Sequence, residues 1–437
     1  MKAIIMAGGK GTRLSSVLNN IPKPMVPVDG VPVLEHQIRS LKESGITEVI
    51  LVIGHLGHVI REYFSDGSSF GVKIDYYEEQ IPLGTAGALY DLKELLKNDF
   101  ILIYGDVFLD IDFQRMIRFH YARNAKVTLF AHPNSHPYDS DLIVTGDQDK
   151  VIGCEYKNLP REEDYDNLVN AGIYILSPKI LTYINQPVKT DLEKDVIVPL
   201  ISTGTVYAYR SSEYAKDIGT PDRLIAVEKD YKCGIVGKKK LSKKQKCIFL
   251  DRDGTINKFK GLLTDRNMVE LENSVAQAIR IINSSEYLCV VITNQPVIAR
   301  GDCSESDLKG IHKRLVTLLG NEGAYVDGIY FCPHHPHKGY HGEIPELKID
   351  CKCRKPKTGM IIQAACDFNI DLTQSWIVGD TTTDIQTGIN AGLKTALVLT
   401  GEAGKDQKYL VTPNIISHNL EECVRKIIED GRKVKFE

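Results

Sequence analysis

Twice along this chain, short apolar runs alternate with helix-patterned stretches, and a run of lysines separates the two series. The first series begins at Ala3 to Met6, a strand candidate, and continues through Val33 to Glu43, helical, Glu48 to Ile53, a strand, and Val59 to Phe64, helical. Phe100 to Tyr104, Val127 to Ala131 and Gly172 to Leu176 are further strand candidates. Short strands joined by helices pair side by side when each helix crosses over the sheet, so the rhythm predicts βαβ units around a mainly parallel sheet. The second series runs through Cys247 to Leu250, Leu288 to Thr293, Gly328 to Cys332, Ser375 to Gly379 and Thr395 to Leu399. The expected fold class is α/β, with two doubly wound domains.

A length of 437 residues supports that division, because single cores stop growing at roughly 250 residues. Residues 237–246, Gly-Lys-Lys-Lys-Leu-Ser-Lys-Lys-Gln-Lys, are too polar and charged to pack. We read them as a linker between a domain over 1–236 and a domain over 247–437. A basic run can also bind nucleic acid or anionic lipid, but one without interleaved aromatic residues reads as a solvated connector. The formal net charge of -3 removes any global electrostatic case for nucleic acid and leaves small molecules as the expected partners. The apolar run within Met1 to Met6 is too short for a signal peptide, and no later stretch approaches the ~18 apolar residues of a membrane span. No membrane association is expected, and the expected location is the cytoplasm. The ten scattered cysteines are then expected as reduced thiols.

The first strand candidate runs into Ala7-Gly8-Gly9-Lys10-Gly11-Thr12-Arg13-Leu14. Three glycines let a backbone approach an anion closely and turn its amides toward phosphate. Leu14 stands where a dinucleotide fingerprint needs its third glycine, and no Walker spacing is present. Arg13, and Lys23 between Pro22 and Pro24, bring two cations to the same loop, enough to neutralise a triphosphate. A solvated lysine in a proline-rich turn is the plainer alternative for Lys23.

Gly8 to Leu14 followed by Pro22 to Pro24 resembles the signature of the sugar-1-phosphate nucleotidyltransferase family, and the resemblance spans roughly the first 230 residues. It implies that Gly84 and Thr85, in Leu83-Gly84-Thr85-Ala86-Gly87, meet the nucleoside. It also implies that Asp106 and Asp217 hold a magnesium ion, and that Asn170 and Gly172 bind the sugar phosphate. Asp106 follows an apolar strand and so stands where open sheets place ligands. The family's Glu-Lys-Pro element is matched only by Glu155-Tyr156-Lys157, with a tyrosine inserted. The implied reaction is attack by a sugar 1-phosphate on the α-phosphorus of a nucleoside triphosphate, releasing pyrophosphate.

In the second series, Cys247 to Leu250 leads into Asp251-Arg252-Asp253-Gly254-Thr255. If the chain stays extended, both carboxylates point to one side. One then serves as a nucleophile toward phosphorus, and the other exchanges the proton of the leaving group. A calcium loop is excluded, since no glutamate stands at EF-hand spacing and a strand precedes the segment. Val291-Ile292-Thr293-Asn294, Arg354-Lys355-Pro356 and Gly379-Asp380-Thr381-Thr382-Thr383-Asp384 follow in order, and the set resembles the haloacid-dehalogenase-like phosphatase superfamily. The resemblance implies that Thr293 donates to the transferring phosphoryl group and that Lys355 neutralises it. It further implies that Asp251, the Asp253 backbone and Asp380 bind magnesium, and Asp384, one helical turn on, is expected to support the lysine or the metal.

Cys332, His334, Cys351 and Cys353 make a tetrahedral zinc set, the alternative being unpaired cysteines beside a histidine-rich loop. Here the chain resembles the branch holding heptose 1,7-bisphosphate and histidinol-phosphate phosphatases, which implies a structural zinc. Asn294 and Arg354 are then expected to bind the sugar phosphate. The first half also resembles heptose 1-phosphate guanylyltransferases, through Ile-Pro-Lys-Pro-Met-Val-Pro at 21–27. Together the two resemblances imply consecutive steps on heptose phosphates with GTP as the nucleotide. Two rival readings remain: a hexose 1-phosphate uridylyl- or thymidylyltransferase fused to another phosphatase, and a non-catalytic module that binds nucleotide sugars.

Overall fold

The structure is a computed structural model and describes residues 1–9, 21–161 and 164–433. The chain forms two compact units, one of Met1–His132, Ile143–Glu155 and Leu168–Leu241, the other of Pro133–Leu142, Tyr156–Asn167 and Ser242–Glu437.

In the first unit, β1 (Ala3–Met6), α1 (Val33–Glu43), β2 (Glu48–Ile53), α2 (Gly57–Phe64) and β3 (Lys73–Glu78) follow the expected rhythm, and β2 lies parallel to both β1 and β3. β4 (Phe100–Tyr104) flanks β1 on its other side, also parallel. Ile5 packs into one core cluster with Ile103, while Ile4 packs into another with Leu102. Both faces of these strands are covered, which is why they read as unbroken apolar runs.

The rest of the sheet departs from the parallel expectation. β5 (Val107–Asp110) and α3 (Phe113–Ala122) follow β4, and then come β6 (Val127–His132), β7 (Leu142–Thr145), β8 (Val151–Glu155) and β9 (Val169–Leu176). β9 runs antiparallel to both β4 and β6. The segment between β6 and β9 holds short strands where a parallel return needs a crossover helix, so the chain comes back in the opposite sense. Gly172, at φ 74°, sits in the register break of β9 between Asn170 and Tyr174. β10 (Val206–Arg210) lies parallel to β6. β11 (Tyr214–Asp217) pairs antiparallel with β5, setting Asp217 opposite Val107. α4 (Pro221–Lys232) follows, capped by the Thr220 hydroxyl.

Part of the lysine run packs instead of standing solvated as its composition suggests, and the division between the two units falls within it, between Leu241 and Ser242. Lys239, Lys240 and Leu241 are buried. The Lys240 ammonium reaches Glu43 Oε2 at 2.6 Å and Asp110 Oδ1 at 2.9 Å. Its aliphatic stem is buried while its charge meets carboxylates from distant positions, which local composition cannot reveal. Ser242, Lys243 and Lys244 are exposed.

In the second unit, β12 (Lys246–Leu250), α5 (Val275–Asn283), β13 (Tyr287–Asn294), α6 (Glu305–Asn321) and β14 (Gly328–Cys332) are followed by α7 (Gly359–Phe368) and β15 (Trp376–Gly379). α8 (Thr382–Ala391), β16 (Lys394–Val398), β17 (Ile415–Ser417) and α9 (Leu420–Lys433) complete it. Strand order is β14-β13-β12-β15-β16-β17, every neighbouring pair parallel. The order reverses at β12, so the carboxyl end of that strand is the switch point where such sheets bind ligands. Among the described residues no helix is long and apolar enough to cross a membrane.

Candidate active sites

β1 delivers Gly8 and Gly9 to a cleft of about 400 Å³ that is also lined by Lys23, Glu79, Gly84 and Asp106. Gly11, Thr12 and Arg13 lie outside the described residues. A Cβ on Gly8 would stand 2.8 Å from Glu79 Oε2, so the loop backbone and this carboxylate lie close together. Burial pushes the Glu79 carboxyl above its ordinary value. Gly84 has φ 78°, and a Cβ there would meet Thr190 O at 2.5 Å. The Thr85 hydroxyl accepts from Leu192 N at 2.8 Å, bracing the same loop.

Lys23 begins a short 3-10 turn, and its ammonium pairs with Asp106, which the Tyr104-Gly105 corner presents just beyond β4. The β5–β11 ribbon brings in the second aspartate, since Ile218 N, next after Asp217, donates to Asp106 O at 2.9 Å. Asp217 accepts from Arg223 Nη1 at 2.6 and 2.7 Å. Each expected metal carboxylate thus carries a cation. Two aspartates are an ordinary oxygen donor set for magnesium, which commonly keeps several waters besides one or two carboxylates.

Asn170 and Gly172 come together in β9. Asn170 Nδ2 donates to Tyr174 Oη at 2.7 Å and to Glu193 Oε1 at 3.0 Å, and its Oδ1 accepts from Gly172 N at 3.1 Å. Glu155 closes β8. Lys157 keeps other company, its ammonium 3.2 Å from Asp139 Oδ1 and its amide 2.8 Å from Asp141 Oδ1.

The second site is built at the end of β12. Lys355 Nζ lies 2.7 Å from Asp251 Oδ1 and 2.6 Å from Asp384 Oδ1, all three groups buried. Asp384 also closes the capping box of α8 through Thr381, so the helix start and the lysine share one carboxylate. Burial, with Asp384 and Asp253 nearby and Lys355 opposing, pushes the Asp251 carboxyl up to about 7. Burial and the charges of Asp251 and Asp384 push Asp380 up to about 8. Carboxylate oxygens of Asp251, Asp380 and Asp384 lie within 4.8 Å of one another, and Asp380 Oδ1 is buried without a hydrogen-bond partner. Three buried carboxylates against one ammonium, with an unsatisfied oxygen among them, suit a divalent cation.

The chain does not stay extended past Leu250, for it bends at Arg252, and the two aspartates stand in different surroundings. Burial raises Asp253, but the Arg252 guanidinium and hydrogen bonds from Asn257 and Gln295 outweigh it and hold the carboxyl below its usual range. Sequence reading missed Arg252, which is fully buried against Asp253, and Gln295, whose Nε2 joins Asp253 Oδ2 at 2.9 Å to Thr293 Oγ1 at 2.8 Å. Asn294 Oδ1 accepts from Lys355 N at 2.9 Å, pinning the second motif to the third.

Cys332 ends β14, and its Sγ lies 3.5 Å from Cys351 Sγ and 3.2 Å from Cys353 Sγ. His334 Nδ1 is 3.3 Å from Cys353 Sγ and 3.7 Å from Cys332 Sγ. A tetrahedron with zinc–ligand bonds of about 2.0–2.3 Å has edges of roughly 3.3–3.8 Å, so the four donors suit zinc. Arg354 follows directly, its amide 3.3 Å from Cys351 Sγ and its Nη1 donating to His334 O at 3.1 Å.

Residues 2–233 match the nucleotidyl transferase family, and the chain belongs to that family. It carries in addition a HAD-hydrolase-like domain, matched over residues 352–423. One relative is the mannose-1-phosphate guanylyltransferase of Mycobacterium tuberculosis, 32% identical over 53% of this chain and 65% of that protein. Another is the D-glycero-alpha-D-manno-heptose 1-phosphate guanylyltransferase of Campylobacter jejuni, 40% identical over 41% of this chain and 77% of that protein. The chain thus spans just under two thirds of the mycobacterial enzyme's length. Among solved structures, a D,D-heptose 1,7-bisphosphate phosphatase from B. bronchiseptica with magnesium and phosphate aligns at 29% identity and TM-score 0.38, covering 43% of this chain and 99% of that one.

Proposed function

We propose that the chain is a bifunctional enzyme of activated-heptose synthesis. Residues 247–437 remove the 7-phosphate of D-glycero-D-manno-heptose 1,7-bisphosphate. Residues 1–236 then transfer GMP from GTP to the heptose 1-phosphate, and 237–246 join the two. The carrying observation is the pairing itself: the Asp251, Lys355, Asp380 and Asp384 cluster shares a chain with a domain 40% identical to a heptose 1-phosphate guanylyltransferase. The mannose-1-phosphate guanylyltransferase of M. tuberculosis stands at 32%.

In the first step Asp251 attacks phosphorus, and the C7 oxygen leaves with a proton from Asp253. Thr293 and Lys355 meet the charge on the phosphoryl oxygens, while Asn294 and Arg354 hold the sugar phosphate. Water, giving its proton to Asp253, then attacks the phosphorus of the aspartyl phosphate, an acyl phosphate, and releases phosphate with the Asp251 carboxylate restored. The Arg252 guanidinium helps hold the Asp253 carboxyl below its usual range, which suits that second half-reaction, and the proton used in the first half is bound against that pull. Asp251, Asp380 and the Asp253 backbone would hold magnesium, which supplies charge neutralisation.

In the transferase, Gly8, Gly9, Gly11 and Thr12 cradle the triphosphate. Arg13 and Lys23 take the charge of the leaving pyrophosphate, and Asp106 and Asp217 would hold a second magnesium ion. Asn170, Gly172, Glu155 and Lys157 bind the sugar phosphate. Glu79 supports guanine as the base, because a carboxylate accepts from the two adjacent donors N1–H and N2–H, an edge that uracil and thymine lack. Cys332, His334, Cys351 and Cys353 would bind a structural zinc. Incubation of the purified chain with heptose 1,7-bisphosphate and GTP should release both phosphate and pyrophosphate; turnover with hexose 1-phosphates alone would sink the heptose assignment.

A further inference from the structure

Asp380 has two oxygens in unlike settings. Oδ2 accepts from Glu402 N at 2.7 Å, and Oδ1 is buried with no hydrogen-bond partner. Two glycines press against the held oxygen. A Cβ on Gly254 would lie 2.2 Å from Asp380 Oδ2, and one on Gly401 would lie 2.1 Å from it and 2.6 Å from Gly254 Cα. Both glycines have positive φ, 84° and 55°. The loop carrying Gly401 is fastened on either side, for Thr400 Oγ1 donates to Gly254 O at 2.6 Å and Gly404 N donates to Asp380 O at 2.7 Å. None of the catalytic motifs read from the sequence includes Thr400 to Gly404.

We propose that the Thr400–Gly404 loop is a clamp that fixes the Asp380 carboxylate for metal ligation, with Gly401 its positioning residue. The proposal rests on the reading of the second unit as a magnesium-dependent phosphatase. A carboxylate left to rotate about its Cβ–Cγ bond would turn both oxygens toward available donors. With Oδ2 bonded to the Glu402 amide and filling the space where a Cβ on either glycine would stand, rotation is opposed, and Oδ1 is left as the oxygen without a donor, open to a cation. An acceptor buried without a donor destabilises the fold unless a cation takes it. The clamp therefore holds a ligand in place before the ion arrives, as outer-shell partners do in metal sites generally.

The test is Mn²⁺ binding to the full-length chain, followed by the electron paramagnetic resonance of free Mn²⁺. Asp380→Asn identifies the phosphatase event by its loss. Gly401→Ala should weaken that same event about 10–100-fold and leave the transferase event unchanged. Thr400→Val, which adds no bulk near the carboxylate, should weaken it less, and Thr400→Ser should restore it. Circular dichroism reports whether Gly401→Ala folds; if it does not, the Thr400 pair decides. Wild-type Mn²⁺ affinity in Gly401→Ala, or in Thr400→Val where that pair decides, overturns the clamp, provided Asp380→Asn has lost the event. Retention of every event in Asp380→Asn overturns the metal reading itself, and the clamp with it.

Discussion

Lys355 Nζ stands 2.7 Å from Asp251 Oδ1, and both groups are buried. Burial and the neighbouring carboxylates push the Asp251 carboxyl up to about 7, and the lysine ammonium opposes that rise. Asp251→Asn keeps the shape and removes the attacking charge. It should lower phosphate release by at least about 10³-fold, as removal of a covalent nucleophile does, and leave pyrophosphate release unchanged. Unchanged phosphate release would refute Asp251 as nucleophile. Lys355→Met leaves two buried carboxylates without their cation, and should also destabilise the second unit by about 3–5 kcal/mol in denaturant unfolding.

The proposed zinc set gives a prediction of a different kind, since Cys351 and Cys353 stand just ahead of Lys355, the lysine of the proposed phosphatase site. Cys351 Sγ accepts from Arg354 N at 3.3 Å, and Lys355 follows. Elemental analysis should find one zinc per chain, and Cys353→Ser should lose it. Loss of the cross-link frees the segment carrying Arg354 and Lys355, so phosphate release should fall together with zinc content, while pyrophosphate release persists. Full phosphatase activity in a zinc-free variant contradicts this.

Glu213 sets a pH dependence in the first unit. Its carboxylate is buried and accepts from Asp112 N at 2.7 Å, Leu241 N at 2.9 Å and Ser211 Oγ at 3.1 Å. Burial outweighs those bonds and pushes the group up to about 7. The folded state therefore keeps a proton that the unfolded chain loses above its ordinary value near 4.5. Stability from this group is fully present below that value and is lost as pH rises to about 7. Glu213→Gln retains an accepting oxygen and cannot ionise, so it should gain about 3 kcal/mol on wild type between pH 4.5 and 8. Calorimetric unfolding at several pH values checks this; parallel curves for the two proteins would exclude it.

What the sequence reveals here depends on how local the cause is. β1, β2 and β4 were legible because burial on both faces leaves an unbroken apolar run, whereas the inverted β9 was not, since periodicity carries no direction. Asp251, Lys355 and Asp380 stand beside strands or in ordered motifs and announce themselves. Arg252 and Gln295 act by filling the lone pairs of Asp253, and Glu402 acts through a backbone amide that any residue type supplies. Lys239 and Lys240 were misread because the carboxylates that pair with Lys240, Glu43 and Asp110, are remote in the chain.

Glu79 carries the prediction that bears most directly on the nucleotide. Its Oε1 accepts from Leu83 N at 3.3 Å, and its other oxygen lies against Gly8 at the phosphate loop, so the side chain is held on the cleft wall. A carboxylate there rewards a base with two neighbouring donors and leaves uracil, with one donor between two carbonyls, facing like charge. Glu79→Gln replaces one acceptor by a donor: guanine loses one hydrogen bond and meets an N–H opposite its own, while uracil gains a partner for a carbonyl. The ratio of kcat/KM for GTP over UTP should fall about 10–200-fold, chiefly through the GTP term. Steady-state pyrophosphate release with each nucleotide at fixed heptose 1-phosphate measures it. An unchanged ratio would show that the base is read elsewhere in the cleft.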